Sequence, residues 1–426
     1  MHKHWIKNYE EIATTENRKV AISIAEAGLD AINTEMVIKK SIRLENNTLS
    51  IQGESFDLSK FSKIKVVGFG KCSCEAAFTL EEILKDKITE GAVVGLSQKI
   101  CPVIKTFAGT HPRPSSANII PGKQIHDIVE GAKEDELVIA IVSGGGSALL
   151  CYPESECSAG EVLYNTFLKT GNTISEINTV RKHISLLKGG GLAKIAYPAT
   201  VIGLIFSDVP GDKYEDVASG PTYKDITTIA DAEKIIAHYN LGEFDLNETP
   251  KEDKYFEKVH NFVLVSNKTA IEAMSKKSEE LGYPYKIVSS ELYDEVDTAL
   301  DKILEKEADG TVVIAAGEPK LVVTKKGGSG GRNMYMGLKA IEKIGEHSVF
   351  IPLASDGMDN SAGAGAIIDV HTKEKVLNGE IDIKNYIENF DAFNAFEKIG
   401  DMIMTGPTNA NVSDIMILFK NTNEPK

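Results

Sequence analysis

The chain carries several short motifs whose residue types could bind an anion and move a proton. Lys71 closes the run VVGFGK (66–71), and a lysine held directly after a strand can neutralise a phosphoryl group in transfer. SGGGSAL (143–149) offers Ser143, Gly144, Gly145, Gly146 and Ser147. Its glycines let backbone approach an anion closely, and either serine could cap a helix or touch a phosphate or carboxylate. SDVPGD (207–212) holds Asp208 and Asp212 four residues apart around Pro210-Gly211. Such carboxylates suit Mg²⁺ or a substrate hydroxyl proton, though turns and helix caps use the same residues. Asp356 and Asp359 in SDGMD repeat this arrangement with the same two readings. AAGE ends in Gly317-Glu318, and GGSGGRN (327–333) brings Gly330, Arg332 and Asn333, the arginine being suited to a bidentate hold on carboxylate or phosphate. Arg181, Lys182 and Lys188 put cations along one helical stretch, 181 and 188 about two turns apart. His111, in a loop with Pro112 and Pro114, reads as structural rather than as a ligand. One glycine turn after a strand would be ordinary chain reversal. Three of them after core strands, with Lys71 beside one, favour anion binding. The chemistry implied is metal-assisted phosphoryl transfer to a small acceptor.

The elements that must position these groups alternate between strand and helix. Continuous apolar runs predict strands at Lys63–Gly68, Ala92–Leu96, Val103–Ala108, 137–143 and Val201–Phe206. Helical spacing marks residues 16–33, Ser73–Leu84, Ser116–Gly131 and Ala159–Lys169. SIRLENNTLSIQG reads as a hairpin about Asn46-Asn47. A polar, acidic stretch from Tyr223 to Val259 suggests a domain junction. A second series follows: strands Phe262–Ser266, Tyr285–Val288, Thr311–Ala316, Val349–Ala354 and a last one within 405–419. It is interleaved with helices Lys268–Leu281, Glu295–Glu307 and Asn333–Ile344 and an extended hairpin arm Leu321–Lys325. The expectation is an α/β protein of two domains, 1–240 and 241–426, each with a mostly parallel sheet flanked by helices, the first Rossmann-like. The motifs fall at carboxyl ends of strands, where open α/β sheets bind ligands.

Composition narrows the function further. A formal net charge of −15 argues against a nucleic-acid partner. The five cysteines are odd in number, and the polar start MHKHWIKNYEE has no apolar leader segment, so a reducing, cytoplasmic setting with inert thiols is expected. No apolar run has the length of a membrane span. Neither the P-loop pattern G-x-x-x-x-G-K-[ST] nor G-x-G-x-x-G at a first strand occurs, and protein-kinase signatures are missing.

Together the motifs resemble the glycerate 2-kinase family, the class II glycerate kinases with a MOFRL-type C-terminal domain. The resemblance runs in order through VVGFGK, THPRPSSAN (110–118), SGGGSALL, INTVRKHISLLKGGGLA (177–193), SDVPGD…ASGPT (207–222), AGEPKLVV…GSGGRN, SDGMDNSAG (355–363) and TGPTNANVSDI (405–415). It implies two α/β domains with the active site in the cleft between them, and ATP with Mg²⁺ or another divalent metal as the means of phosphorylating D-glycerate to 2-phosphoglycerate. It also implies Lys71 and one of Asp208 and Asp212 as catalytic residues, with Arg332 clamping an anion. Asp208 and Asp356 are the candidate metal ligands. Lys188, Gly317, Glu318, Gly330, Asn333 and the 143–147 loop are candidate nucleotide contacts. The partner expected is the small substrate alone, with no nucleic acid or membrane, and a homodimer as the assembly entertained. The chain departs from the family pattern at Met334-Tyr335, Asn360 and Ala410-Asn411, which bears on acceptor choice. The rival readings are a nicotinamide-dependent hydroxypyruvate reductase and a non-catalytic phosphosugar-binding module.

Overall fold

The computed structural model describes residues 4–170, 174–211 and 213–422. They form two compact units, one of residues 34–264 and one of residues 4–33 with 265–422. The first unit opens with an antiparallel three-stranded sheet, β1 (Ile42–Glu45), β2 (Thr48–Ile51) and β3 (Glu54–Asp57). Asn46, at φ +56°, makes the turn expected of it. A six-stranded sheet follows, from β4 (Lys63–Phe69), β5 (Glu90–Gly95), β6 (Ile104–Ala108), β7 (Glu136–Ser143), β8 (Thr200–Phe206) and β9 (Val259–Val265), in the order β6-β5-β4-β7-β8-β9. The pairs from β6 through β8 are all parallel. Helices must therefore cover both faces, and the strands are apolar without alternation. All eight residues of β7 are buried.

The second unit holds a sheet of β10 (Tyr285–Leu292), β11 (Thr311–Gly317), β12 (Ser348–Ala354), β13 (Gly365–Ala366), β14 (Met402–Ile403) and β15 (Asp414–Lys420), ordered β10-β11-β15-β12-β13-β14. Here the parallel expectation fails in part. The last strand, β15, inserts between β11 and β12 and runs antiparallel to both. Its apolar stretch Ile415–Phe419 is completely buried, which a central position requires. β10, β11 and β12 still point the same way, so Gly317 and Ala354 both lie opposite Asp414 in register.

The unit boundaries also differ from a cut at 240. β9 joins the first sheet, and the leading helix Glu16–Ile32 belongs to the second unit. Thr15 caps that helix by accepting from the Arg18 amide. Ala21, Ile22, Ile24, Ala25 and Ile32 are fully buried against the helix Asn267–Glu280 and strands β12 and β15. Arg18, inside the same buried face, donates through Nε and Nη2 to Asp369 (both 2.6 Å) and through Nη1 to Asp401 (2.8 Å). Linear order gives no sign of this long-range ion cluster. One further expectation differs: residues 321–325 form no strand. The stretch after β13, for which the sequence suggested no elements, holds three helices, Val370–Asn378, Ile383–Glu388 and Ala392–Ile399. Among the described residues no helix is long and apolar enough to cross a membrane.

Candidate active site

In the first unit the carboxyl ends of β4, β7 and β8 are drawn together by backbone. Gly70 leaves β4 at φ +126°, and a Cβ there would lie 2.2 Å from Oγ of Ser143. Only glycine allows this approach. The Lys71 amide then donates to the Gly144 carbonyl (2.8 Å), and the Gly144 amide donates to Phe206 O at the end of β8 (3.2 Å). Ser143 is spent internally: its Oγ accepts from the Cys72 amide and from Ser73 Oγ, both at 3.3 Å.

Around Gly144 and Gly145 three chemically useful side chains converge. A Cβ on Gly144 would stand 2.1 Å from Oδ2 of Asp208. A Cβ on Gly145, at φ +77°, would stand 3.0 Å from Nε2 of His111 and 3.0 Å from Cγ of Lys71. Lys71 and Asp208 are thus brought to the SGGG loop, as the sequence motifs suggested. His111 arrives with them, from the loop after β6. It had looked structural because a lone histidine between prolines carries no spacing signal. Asp212 lies outside the described residues. The cysteines next to this loop are poor nucleophiles: burial pushes the Cys72 thiol up to about 11 and Cys74 to about 12.

One side of the loop is braced by a chain of hydroxyls. Ser147 Oγ lies 2.8 Å from Ser219 Oγ, which donates to Oδ1 of Asn178 (3.2 Å). Ala218 and Ser219 take φ of +51° and +60°, a conformation that costs non-glycine residues about 1–3 kcal/mol each. The Gly189 amide holds this turn by donating to Ser219 O, and Gly190 donates to Gly220 O, both at 2.8 Å.

The cations of the 181–188 stretch do not act as one face. Lys188 is buried, with its Nζ on the Leu150 carbonyl (2.7 Å) and in an ion pair with buried Glu156. Burial raises the Glu156 carboxyl above its ordinary range, against the pull of Lys188. Lys182 meets Asp225 (3.3 Å) and Asp216 (3.6 Å).

The motifs of the second unit gather at the ends of β11 and β12. Arg332 Nε donates to Oδ2 of Asp414, and Nη2 lies 3.0 Å from Oε1 of Glu318. These carboxylates hold the guanidinium above its ordinary pKa. Burial, with the Glu318 and Asp359 charges, pushes the Asp414 carboxyl up to about 7 despite Arg332. Asp359 is a cap: it accepts from the amides of Gly331 (3.2 Å), Asn333 (3.1 Å) and Met334 (2.7 Å) at the start of the helix Arg332–Lys343. Asn333 Nδ2 also donates to Asp359 (3.1 Å), while its buried Oδ1 has no hydrogen-bond partner among the described residues. The glycines here serve packing. A Cβ on Gly317 would lie 2.3 Å from the Leu292 amide nitrogen, and one on Gly330 2.8 Å from that of Phe393. Asp356 Oδ1 accepts from the Met358 amide (3.1 Å), closing a turn.

A metal was expected at Asp208 and Asp356. Among the described residues, the one group of three side chains close enough to share an ion is His126, Asp127 and Glu130, at the end of the helix Ile119–Val129 and just past it, away from these motifs in sequence. Among the described residues, then, no cluster of three such side chains includes Asp208. Mg²⁺ does not need one, since it commonly takes one or two carboxylates and fills its shell with phosphate and water. The partly buried Asp208 at the glycine loop fits that mode.

Residues 20–249 match the family described as a domain of unknown function, DUF4147, and residues 311–414 match the MOFRL family. A glycerate 2-kinase of Pyrococcus horikoshii is 32% identical, over 94% of this chain and 96% of its own. A crystal structure titled as the glycerate kinase of Thermotoga maritima superposes with a TM-score of 0.81 at 28% identity, covering 94% of this chain and 99% of that one. A protein of Agrobacterium vitis, provisionally named a hydroxypyruvate reductase, is 34% identical over 83% of this chain and 86% of its own. By the order of its motifs, its fold and these likenesses, the chain belongs to the glycerate 2-kinase family.

Proposed function

We propose that the protein transfers the γ-phosphoryl group of ATP to the 2-hydroxyl of D-glycerate, giving 2-phosphoglycerate and ADP. The observation that carries this reading is the convergence of Lys71, Asp208 and His111 on the backbone of Gly144-Gly145. The backbone there can approach phosphate oxygens without a side chain in the way. The Lys71 ammonium neutralises charge on the phosphoryl oxygens as the bond to the leaving oxygen lengthens. Asp208 receives the proton that the 2-hydroxyl gives up as its oxygen bonds to phosphorus. His111 donates a hydrogen bond to a phosphoryl oxygen. Asp208 would also hold Mg²⁺, which supplies charge neutralisation between the donor phosphates when bound.

The scheme does not draw on Arg332, whose guanidinium is balanced within its own unit by Asp414 and Glu318. The reductase reading has no nicotinamide fingerprint to support it. An ADP-coupled assay with ATP, Mg²⁺ and D-glycerate tests the proposal. Turnover supports it. NADH consumption with hydroxypyruvate, and none of ADP formation, overturns it.

A further inference from the structure

Among the described residues, Arg181 is the one cation of the Arg181, Lys182 and Lys188 set with no hydrogen-bonded or ion-paired carboxylate of its own. It is partly buried on the helix Ile174–His183, and its guanidinium donates to no acceptor among the described residues. The neighbouring carboxylate is Glu156, but Glu156 is engaged by Lys188 and by the Tyr152 amide (2.8 Å). Burial lowers the Arg181 pKa from its ordinary value, with the charges of Glu156 and Cys151 opposing. A desolvated guanidinium without a partner is unfavourable, and its cost is relieved by an anion that arrives with a ligand.

The position of Arg181 says which ligand. Asn178 lies three residues earlier, so both are on the same side of the helix. Asn178 accepts from Ser219, and Ser219 meets Ser147 at the glycine loop. The side of the helix that carries Arg181 is therefore tied, through this chain of hydroxyls, to the loop where Lys71, Asp208 and His111 converge. In a 2-hydroxy acid the carboxylate carbon is bonded directly to the carbon bearing the reacting hydroxyl. A cluster that acts on the hydroxyl must have a receiver for the carboxylate beside it. The planar fork of arginine matches a carboxylate with two parallel hydrogen bonds.

Building on the glycerate kinase reading, we propose that Arg181 receives the carboxylate of the acceptor and so restricts the enzyme to 2-hydroxy acids over neutral polyols. With Asp225 and Asp216 on Lys182 and Glu156 on Lys188, Arg181 is left as the cation for this task.

The test uses the full chain and two variants, Arg181→Met and Arg181→Lys, each checked for cooperative thermal unfolding. D-glycerate and its neutral amide, D-glyceramide, serve as acceptors, with ATP varied separately. The expected result is a rise of about tenfold or more in KM for D-glycerate in Arg181→Met, with KM for ATP nearly unchanged. The preference for D-glycerate over D-glyceramide shrinks by the same factor, and Arg181→Lys recovers part of it. Calorimetric binding of D-glycerate without nucleotide weakens in parallel. A rise in KM for ATP instead would assign Arg181 to donor phosphate and overturn the proposal, as would an unchanged acid-over-amide preference. If the wild-type protein phosphorylates neither acceptor, the kinase reading itself fails. Arg181 is then judged by calorimetry alone, where equal D-glycerate binding by wild type and Arg181→Met overturns its assignment.

Discussion

Gly144 and Asp208 stand so close that no side chain fits between them: a Cβ on Gly144 would be 2.1 Å from Oδ2 of the aspartate. The Gly144→Ala variant must therefore push the Asp208 carboxylate out of place, although the chain around it is held by strand ends. Turnover is expected to fall by about a hundredfold or more, since small misplacement of a reacting group is that costly. The thermal midpoint should change far less than turnover does. Steady-state kinetics beside a melting curve checks this, and retention of full activity would separate Asp208 from the chemistry.

Lys188 and Glu156 form a buried pair, and the structure gives the lysine a packing role where the sequence had suggested nucleotide contact. Removing one partner leaves the other charged, buried and unmatched. Lys188→Met alone should cost about 3–5 kcal/mol of stability, and joint replacement of both residues by apolar ones should restore much of it. Urea unfolding of the two single variants and the double variant measures the coupling. A Lys188→Met protein of normal stability with a weakened KM for ATP would favour nucleotide contact instead.

Arg18 ties the leading helix to the second unit through Asp369 and Asp401. Arg18→Met strands two buried carboxylates and should lower unfolding free energy by about 3–5 kcal/mol. At temperatures where the variant stays folded, KM values should not move. Denaturant melts together with kinetics at low temperature check both parts.

Much of the cluster proposed to handle phosphate was legible in the chain. Strands buried on both faces of a parallel sheet are continuous apolar runs, so β4, β7 and β8 and the loops at their ends could be placed. Lys71 and Asp208 followed from those ends. His111 did not, because only the fold brings the loop after β6 beside Gly145. The role of Lys188 was hidden because its partner Glu156 is 32 residues away. Asp359 illustrates the opposite ambiguity: caps and ligands use the same residue type, and only the three amides pointing at it decide. The placement of β15 was invisible as well. Its apolar run shows a buried strand and says nothing of direction or neighbours.

The Asp414 carboxyl is the group whose titration should be seen near neutral pH. Its ordinary pKa is 3.8 and burial lifts it to about 7 in the folded protein. Between these values the folded state holds a proton that the unfolded state has lost. This group's contribution is thus greatest at low pH and is lost as pH climbs through about 7. The stability of Asp414→Asn relative to wild type should rise from about pH 5 to about pH 8. Urea midpoints at the two pH values check it, and a difference independent of pH would contradict it.

The central claim concerns which bond is made. Phosphorus NMR of a reaction holding ATP, Mg²⁺, D-glycerate and the enzyme reads it directly. The account predicts a phosphomonoester signal coupled to the single proton on C2, which is 2-phosphoglycerate, with loss of the signal in Lys71→Met. A signal coupled to the two protons on C3, or turnover that survives Lys71→Met, would contradict it.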